Sequence, residues 1–309
     1  MNGTRGASQE LERARAEAHG DAPDTREAEE AISEHSRLRA VVVYEIIQRE
    51  GSAELARSAV ALWWSGLAAG LAIGLSVLSE ALIAAHLPDT EWKPLVENFG
   101  YCVGFIIVIM ARQQLFTEST LTPVLPVILR WKWGWLLALL RLWGVVLLAN
   151  LVGCFIFATF LAWSGVLPAH VAAAVVEIGQ HLTEQEPLDL MLRGIVAGWL
   201  VAALVWMLPS AEGSELLVIT LMTYIIALGD FSHVIAGSAE TFYLFVTGEI
   251  GLAKTVFGFL LPTLVGNIIG GTVLFALLSY AQVREEIAEV NRAVRAPNRE
   301  RRSSLGMGG

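Results

Sequence analysis

Six stretches of this chain, at about residues 57–86, 97–127, 134–164, 189–208, 215–246 and 256–282, are apolar over some twenty residues or more. A helix needs about twenty apolar residues to cross the hydrocarbon core of a bilayer, and only helices or closed barrels satisfy their backbone there. The pattern predicts an all-α membrane protein with six transmembrane helices. Composition agrees, with 55% of residues hydrophobic and 17% charged, against roughly a quarter charged in soluble domains. The formal charge of −9 says little about partners, because the charges gather at the two ends and in a few connections. No basic patch interleaved with aromatics lies in a folded region, so nucleic acid is excluded as an expected partner, and membrane lipid is the expected surrounding.

The ends read as separate regions. Residues 1–56 are polar and mixed in charge, with no short apolar core followed by a cleavage site, so the first span is expected to direct insertion. Within them VVVYEIIQRE at 41–50 reads either as a short amphipathic helix on the membrane surface or as a solvated tail with one sticky patch. The membrane domain then covers 57–283, and 284–309 is a basic tail. Arginine and lysine mark cytoplasmic loops. They cluster before span one (Arg37, Arg39, Arg49, Arg57), after span two (Arg130, Lys132) and after span six (Arg284, Arg292, Arg295). The first and third connections are acidic, which predicts both termini in the cytoplasm. Arg141 near the start of span three reads as a side chain snorkelling to the interface, and Trp131, Trp133 and Trp135 as an interfacial belt.

Two windows carry polar groups where lipid forbids them. The second contains Arg112-Gln113-Gln114-Leu115-Phe116-Thr117-Glu118, and the fifth contains Gly229-Asp230-Phe231-Ser232-His233 followed by Gly237 and Glu240. Irregular backbone at such depth is tolerated only where protein buries it or a wet cavity borders it. Both windows are long enough for two half-helices joined by a break. The halves of the chain also correspond. Ala149-Asn150-Leu151-Val152-Gly153 matches Gly266-Asn267-Ile268-Ile269-Gly270, and the Gly66–Gly70 segment matches Gly194–Gly198. Leu115-Phe116-Thr117 is paired on the same basis with Asp230-Phe231-Ser232. Three spans per half is an odd number, so the second half is inverted, and the two breaks are expected to meet near the midplane. Gly66, Gly70 and Gly74 recur every fourth residue and predict close helix packing, within the protomer or between protomers.

The segments LFTES (115–119), FSHVIAG (231–237) and LPTLVGNIIGG (261–271) resemble the formate/nitrite transporter family. The strings GFIIVIMARQQLFTEST (104–120), RLWGVVLLANLVG (141–153) and LGDFSHVIAGSAE (228–240) are similar to its YfdC-like branch. The resemblance implies an aquaporin-like fold, a homopentamer in the bacterial inner membrane with one pore per protomer, and transport of small monovalent anions or their weak acids. It assigns the central histidine to His233 and its threonine partner to Thr117. Constrictions map to Tyr101, Phe105, Leu115, Phe116, Val201 and Ile226. Pore asparagines of the family become Gly198 and Gly237, and the family lysine ahead of the fourth helix has no counterpart. Arg112 is an expected pathway residue that stands where small or acidic residues usually lie.

On chemical grounds His233 is the side chain best suited to exchange a proton near neutrality, and Thr117 is able to orient it. A structural role for each, satisfying backbone freed by the breaks, stands beside that reading. Asn150 and Asn267 are expected to clamp the broken backbone. Asp230 and Glu118 are expected to pair with Arg112 or to cap half-helices. Cys102 and Cys154 read as small buried hydrophobes. His35, His86, His170 and His181 lack ligand spacing, and neither a metal, a cofactor nor an enzymatic nucleophile–base pair is expected. A pore for another small, possibly neutral, solute is the alternative reading.

Overall fold

The structure is a computed structural model and describes residues 38–286. The N-terminal tail before residue 38 and the basic tail after residue 286 lie outside the described residues. Helix α1 (Ala40–Ala56) precedes the spans. The first window forms α2 (Ala59–Ala84), started by Ser58, whose Oγ accepts from Ala61 N–H at 3.2 Å. The third forms α5 (Trp133–Trp163), the fourth α7 (Pro187–Met207), and the sixth a helix α10 over Lys254–Glu286. The second window is α3 (Lys93–Met110), an irregular stretch, and a short α4 (Val124–Arg130). The fifth is α8 (Glu215–Leu228) and α9 (Ala236–Thr247), with the break between them. A further helix, α6 (Ala169–Thr183), lies in the third connection.

Among the described residues, five helices are long and apolar enough to cross a membrane: α2, α3, α5, α7 with its last turn, and α10. The chain is therefore a multi-pass, all-helical membrane protein. The fifth window does not add a sixth continuous helix, because the polar run from Gly229 to His233 divides it into pieces of 14 and 12 residues.

Glycines decide how close the helices come. A Cβ on Gly70 would sit 2.1 Å from Asn150 O, and one on Gly74 2.2 Å from the Phe157 ring, so α2 lies directly against α5. Gly266 and Gly270 meet Met191 O and Ile195 O in the same way at 2.2 and 2.0 Å, joining α10 to α7. Both stripes thus serve packing inside one protomer. Helix α10 is π-helical over Lys254–Leu260 and Ile269–Ala276, a form often found at functional sites.

Helix α1 packs one face on the protein. It is longer than the 41–50 segment, and it buries Val43, Tyr44, Ile47, Gly51 and Leu55 against the protein. A Cβ on Gly51 would meet Thr122 O at 2.0 Å, so α1 rests on the end of the first break. Tyr44 also stacks edge-on with Trp206 at 6.5 Å. Arg141, expected to snorkel, instead donates from Nη2 to Leu55 O at 2.8 Å and Arg57 O at 3.0 Å. Leu55 is in the last turn of α1 and Arg57 just beyond it, where a cation also complements the helix dipole. Cys102 and Cys154 are free and buried.

Candidate functional site

Both half-helices end in the same turn. At the end of α3, Ala111 N–H bonds Ile107 O at 2.9 Å, Gln113 N–H bonds Val108 O at 2.9 Å, and Arg112 takes a φ of 51°. At the end of α8, Gly229 N–H bonds Ile225 O at 3.0 Å, Phe231 N–H bonds Ile226 O at 2.9 Å, and Asp230 takes a φ of 51°. A left-handed backbone is uncommon away from glycine and marks stored strain.

Beyond each turn the extended backbone is held by one asparagine. Asn150 Oδ1 accepts from Phe116 N–H at 2.9 Å, while its Nδ2 donates to Gly66 O at 2.7 Å and Gln114 O at 2.9 Å. Asn267 Oδ1 accepts from Val234 N–H at 2.9 Å, while its Nδ2 donates to Gly194 O at 2.8 Å and Ser232 O at 2.9 Å. The amide group suits this task because it offers an acceptor and two donors in one plane. These contacts also correct the sequence register. Arg112, Gln114 and Phe116 correspond to Asp230, Ser232 and Val234, each 118 positions on, so Leu115-Phe116-Thr117 aligns with His233-Val234-Ile235 and not with Asp230-Phe231-Ser232.

The two breaks meet through His233 and Thr117, both buried, with Thr117 Oγ1 2.8 Å from His233 Nε2. Ala236 N–H at the start of α9 donates to His233 Nδ1 at 3.2 Å. Nδ1 is therefore the acceptor, and the neutral tautomer that satisfies both contacts carries its proton on Nε2 and donates it to Thr117 Oγ1. The hydroxyl hydrogen of Thr117 is then left for another acceptor. Phe105 packs edge-to-face on the imidazole with centroids 4.9 Å apart, and Tyr101 lies 5.1 Å beyond Phe105. Leu115, Phe116, Val201 and Ile226 are buried in the same core, with Phe116 edge-on to Trp143 at 5.9 Å. Trp143 Nε1 donates to Ser119 O at 2.8 Å and Thr272 Oγ1 to Thr120 O at 2.6 Å, so the first break is held from α5 and α10 as well.

Two expected pathway residues, Gly198 and Arg112, sit elsewhere. A Cβ on Gly198 would fall 2.3 Å from Asn267 O, so this glycine admits the backbone of α10 and does not widen a pore. Gly237 abuts Phe259 and Leu182, though it also borders a cavity described below. The Arg112 side chain is 86% exposed and pairs with Glu50 of α1 at 3.5 Å. It bonds neither Asp230 nor Glu118. Asp230 instead faces Arg193 at 3.7 Å and His181 at 3.5 Å, and Glu118 keeps its Oε1 buried without a partner.

A vestibule of about 690 Å³ leads down to His233 between α2, α3, α6, α9 and the second break. Its wall includes Tyr101, Ile226 and Gly237 from the expected set. It also includes residues that sequence reading did not single out for the site: Glu80 on α2, Asn98 on α3, and Ser232 and Glu240 around the second break. A signal was legible for Glu80, an isolated carboxylate toward the end of an apolar span, and for Ser232 and Glu240 as polar residues in the fifth window.

Comparison with known proteins agrees with this geometry. The formate/nitrite transporter family profile matches residues 41–281. The inner membrane protein YfdC of Escherichia coli strain K12 is 42% identical over 267 residues, covering 86% of each chain. The nitrite transporter NirC of Salmonella typhimurium is 27% identical over 230 residues, covering 72% of this chain and 83% of its own. Among solved structures, an FNT family ion channel superposes with a TM-score of 0.69 at 20% identity, covering 78% of this chain and 98% of the other. A pentameric formate channel with formate bound gives 0.61 at 21% identity, covering 73% and 97%. With its two broken helices joined at His233 and Thr117, the chain belongs to the formate/nitrite transporter family, a family of transporters and not of enzymes.

Proposed function

We propose that this protein carries a small monovalent weak acid, of the size of formate or nitrite, across the bacterial inner membrane, with His233 and Thr117 as the polar station of the path. The observation that carries this reading is the 2.8 Å contact between Thr117 Oγ1 and His233 Nε2, buried and flanked by the Phe105 ring. Apolar constrictions disfavour a bare anion and admit the neutral acid far more readily. The Thr117 hydroxyl, receiving the Nε2 proton, is polarised to donate its own to an arriving carboxylate-like oxygen. For the pair to hand over a proton, the imidazole must first be protonated at Nδ1, which requires release of Ala236 N–H. It then passes the Nε2 proton through Thr117 and is left neutral. The clamp contacts repeated by Asn150 and Asn267 support six crossings arranged as two inverted halves of three. Arginine and lysine clustering supports both termini in the cytoplasm, and likeness to the pentameric formate channel supports a homopentamer.

Proteoliposomes containing the protein test the reading. Formate uptake at mildly acidic pH is expected, abolished by His233→Phe with the oligomer intact by size exclusion. Unchanged uptake in that variant would refute it.

A second reading has its own observation. The vestibule wall carries Glu80, Glu97, Glu177, Glu184, Asp230 and Glu240 against a single lysine, Lys93. Such a field repels anions and favours a neutral solute. Uptake of uncharged solutes with no uptake of formate would decide for it.

A further inference from the structure

The vestibule wall carries six carboxylates against one lysine. Four of its carboxylates are accounted for. Glu97 is paired with Lys93 at 3.9 Å, Asp230 with Arg193 and His181, and Glu177 and Glu184 are exposed at the rim. The two deepest are different. Glu80 is 8% exposed and Glu240 6%, both open into the vestibule, and among the described residues neither carboxylate has a hydrogen-bond or ion-pair partner. Ser232 and Gln185 line the same space, each with a buried side-chain oxygen, Oγ and Oε1, that has no partner. A buried carboxylate left alone costs several kcal/mol, and two of them around one cavity invite a cation that satisfies both.

The chemistry of that cation follows from the space. Among the described residues no group of three or more His, Cys, Asp or Glu side chains is placed to hold a metal ion. The cavity, at about 690 Å³, lies in the range of small-molecule sites and is far larger than a bare ion needs. Tyr101 and Phe231 give it aromatic walls, which attract organic cations through their π faces. Several dispersed acceptors match a group with several N–H donors.

We propose that this vestibule is a binding site for a small organic ammonium ion, its N–H groups donated to Glu80 and Glu240 and its carbon chain lying along Tyr101 and Phe231. The site is independent of which solute crosses at His233, and it places a cation in the mouth of a path whose family is named for anions. Binding there neutralises the outer field, so occupancy of the vestibule sets how readily an anion approaches.

The test is an equilibrium titration of the full-length protein in lipid nanodiscs with butylammonium chloride, read by calorimetry. Saturable binding at one site per protomer is expected, with a dissociation constant raised at least about tenfold in Glu80→Gln and in Glu240→Gln. Glu212→Gln, on a connection away from the vestibule, should bind as the parent does. Absence of saturation in the parent, or parent-like affinity in both glutamine variants, would overturn the assignment. One arm needs no variant: butanol and butyrate share the chain but lack the ammonium group. Neither should displace butylammonium from the parent, and displacement by butyrate at equal concentration would also overturn it. Because no flux is measured, loss or retention of formate uptake in His233→Phe leaves this result untouched.

Discussion

At the residue scale, the proposed function and the stability of the breaks rest on two different pairs of side chains. Thr117 and His233 touch each other and little else that is polar, whereas Asn150 and Asn267 each close three bonds to main chain. Thr117→Val keeps the shape and removes the hydroxyl. Formate uptake is expected to fall at least about tenfold, while the loss of one buried bond costs roughly 1–3 kcal/mol. Uptake at parental rates would show that the hydroxyl serves only the fold. Asn150→Ala instead strands Phe116 N–H, Gln114 O and Gly66 O inside the protein. The expected result is severe destabilisation, on the order of 3 kcal/mol or more, measured as a collapse of detergent-solubilised thermal stability. Asn267→Ala should match it, since its contacts are the same.

At the element scale, α1 is a strut under the first break. Gln114, inside that break, donates from Nε2 to Glu54 Oε1 at 3.1 Å, and Arg112 reaches Glu50 on the same helix. Glu54 Oε2 is buried without a partner. Burial pushes the Glu54 carboxyl up from 4.5 to about 7, with Glu50 adding to the shift and Gln114 and Arg57 opposing it. Because the docked state holds the proton more tightly, the docked state is favoured fully at low pH. That advantage fades as pH rises from about 4.5 to about 7 and is constant above. Glu118 and Glu50 face the same carboxyl and Arg141 holds the end of the helix, so loosening begins around Glu54. Hydrogen exchange of the α1 amides, corrected for intrinsic rate, should accelerate across that window in the parent and stay level in Glu54→Gln. Superimposable profiles would rule out Glu54 as the cause.

At the scale of the whole molecule, small residues set the distances that the broken helices need. Gly198 was expected at the pore but faces the main chain of Asn267, so a methyl group there pushes α7 from α10. Gly198→Ala should cost roughly 1–3 kcal/mol and lower both thermal stability and the yield of intact oligomer. A pore-lining glycine would behave otherwise, altering solute selectivity at unchanged stability. The same contact explains why Asn267 is positioned to hold the second break: close packing of α7 and α10 places its amide within reach of Gly194 O and Ser232 O together.

The sequence by itself determined whatever lipid forces on a chain. Apolar length marks the spans, and polar runs at 112–120 and 229–240 mark the breaks, because neither the cost of dehydrating a polar group nor the length needed to cross a bilayer depends on neighbours. The clamping asparagines were legible for the same reason, as amides in otherwise apolar helices that freed backbone must satisfy. His233 and Thr117 were legible through their motifs, yet their contact spans 116 positions and exists only once the two breaks are packed together. Tertiary structure alone decided the rest. The register between halves came from the bonds of Asn150 and Asn267, since a three-residue slip leaves composition unchanged. Whether a glycine widens a path or admits a helix depends on what lies across from it, which no local pattern records. Glu80 and Glu240 lie 160 positions apart, and only the packing of α2, α3 and α9 around one vestibule brings their unpartnered carboxylates to the same space.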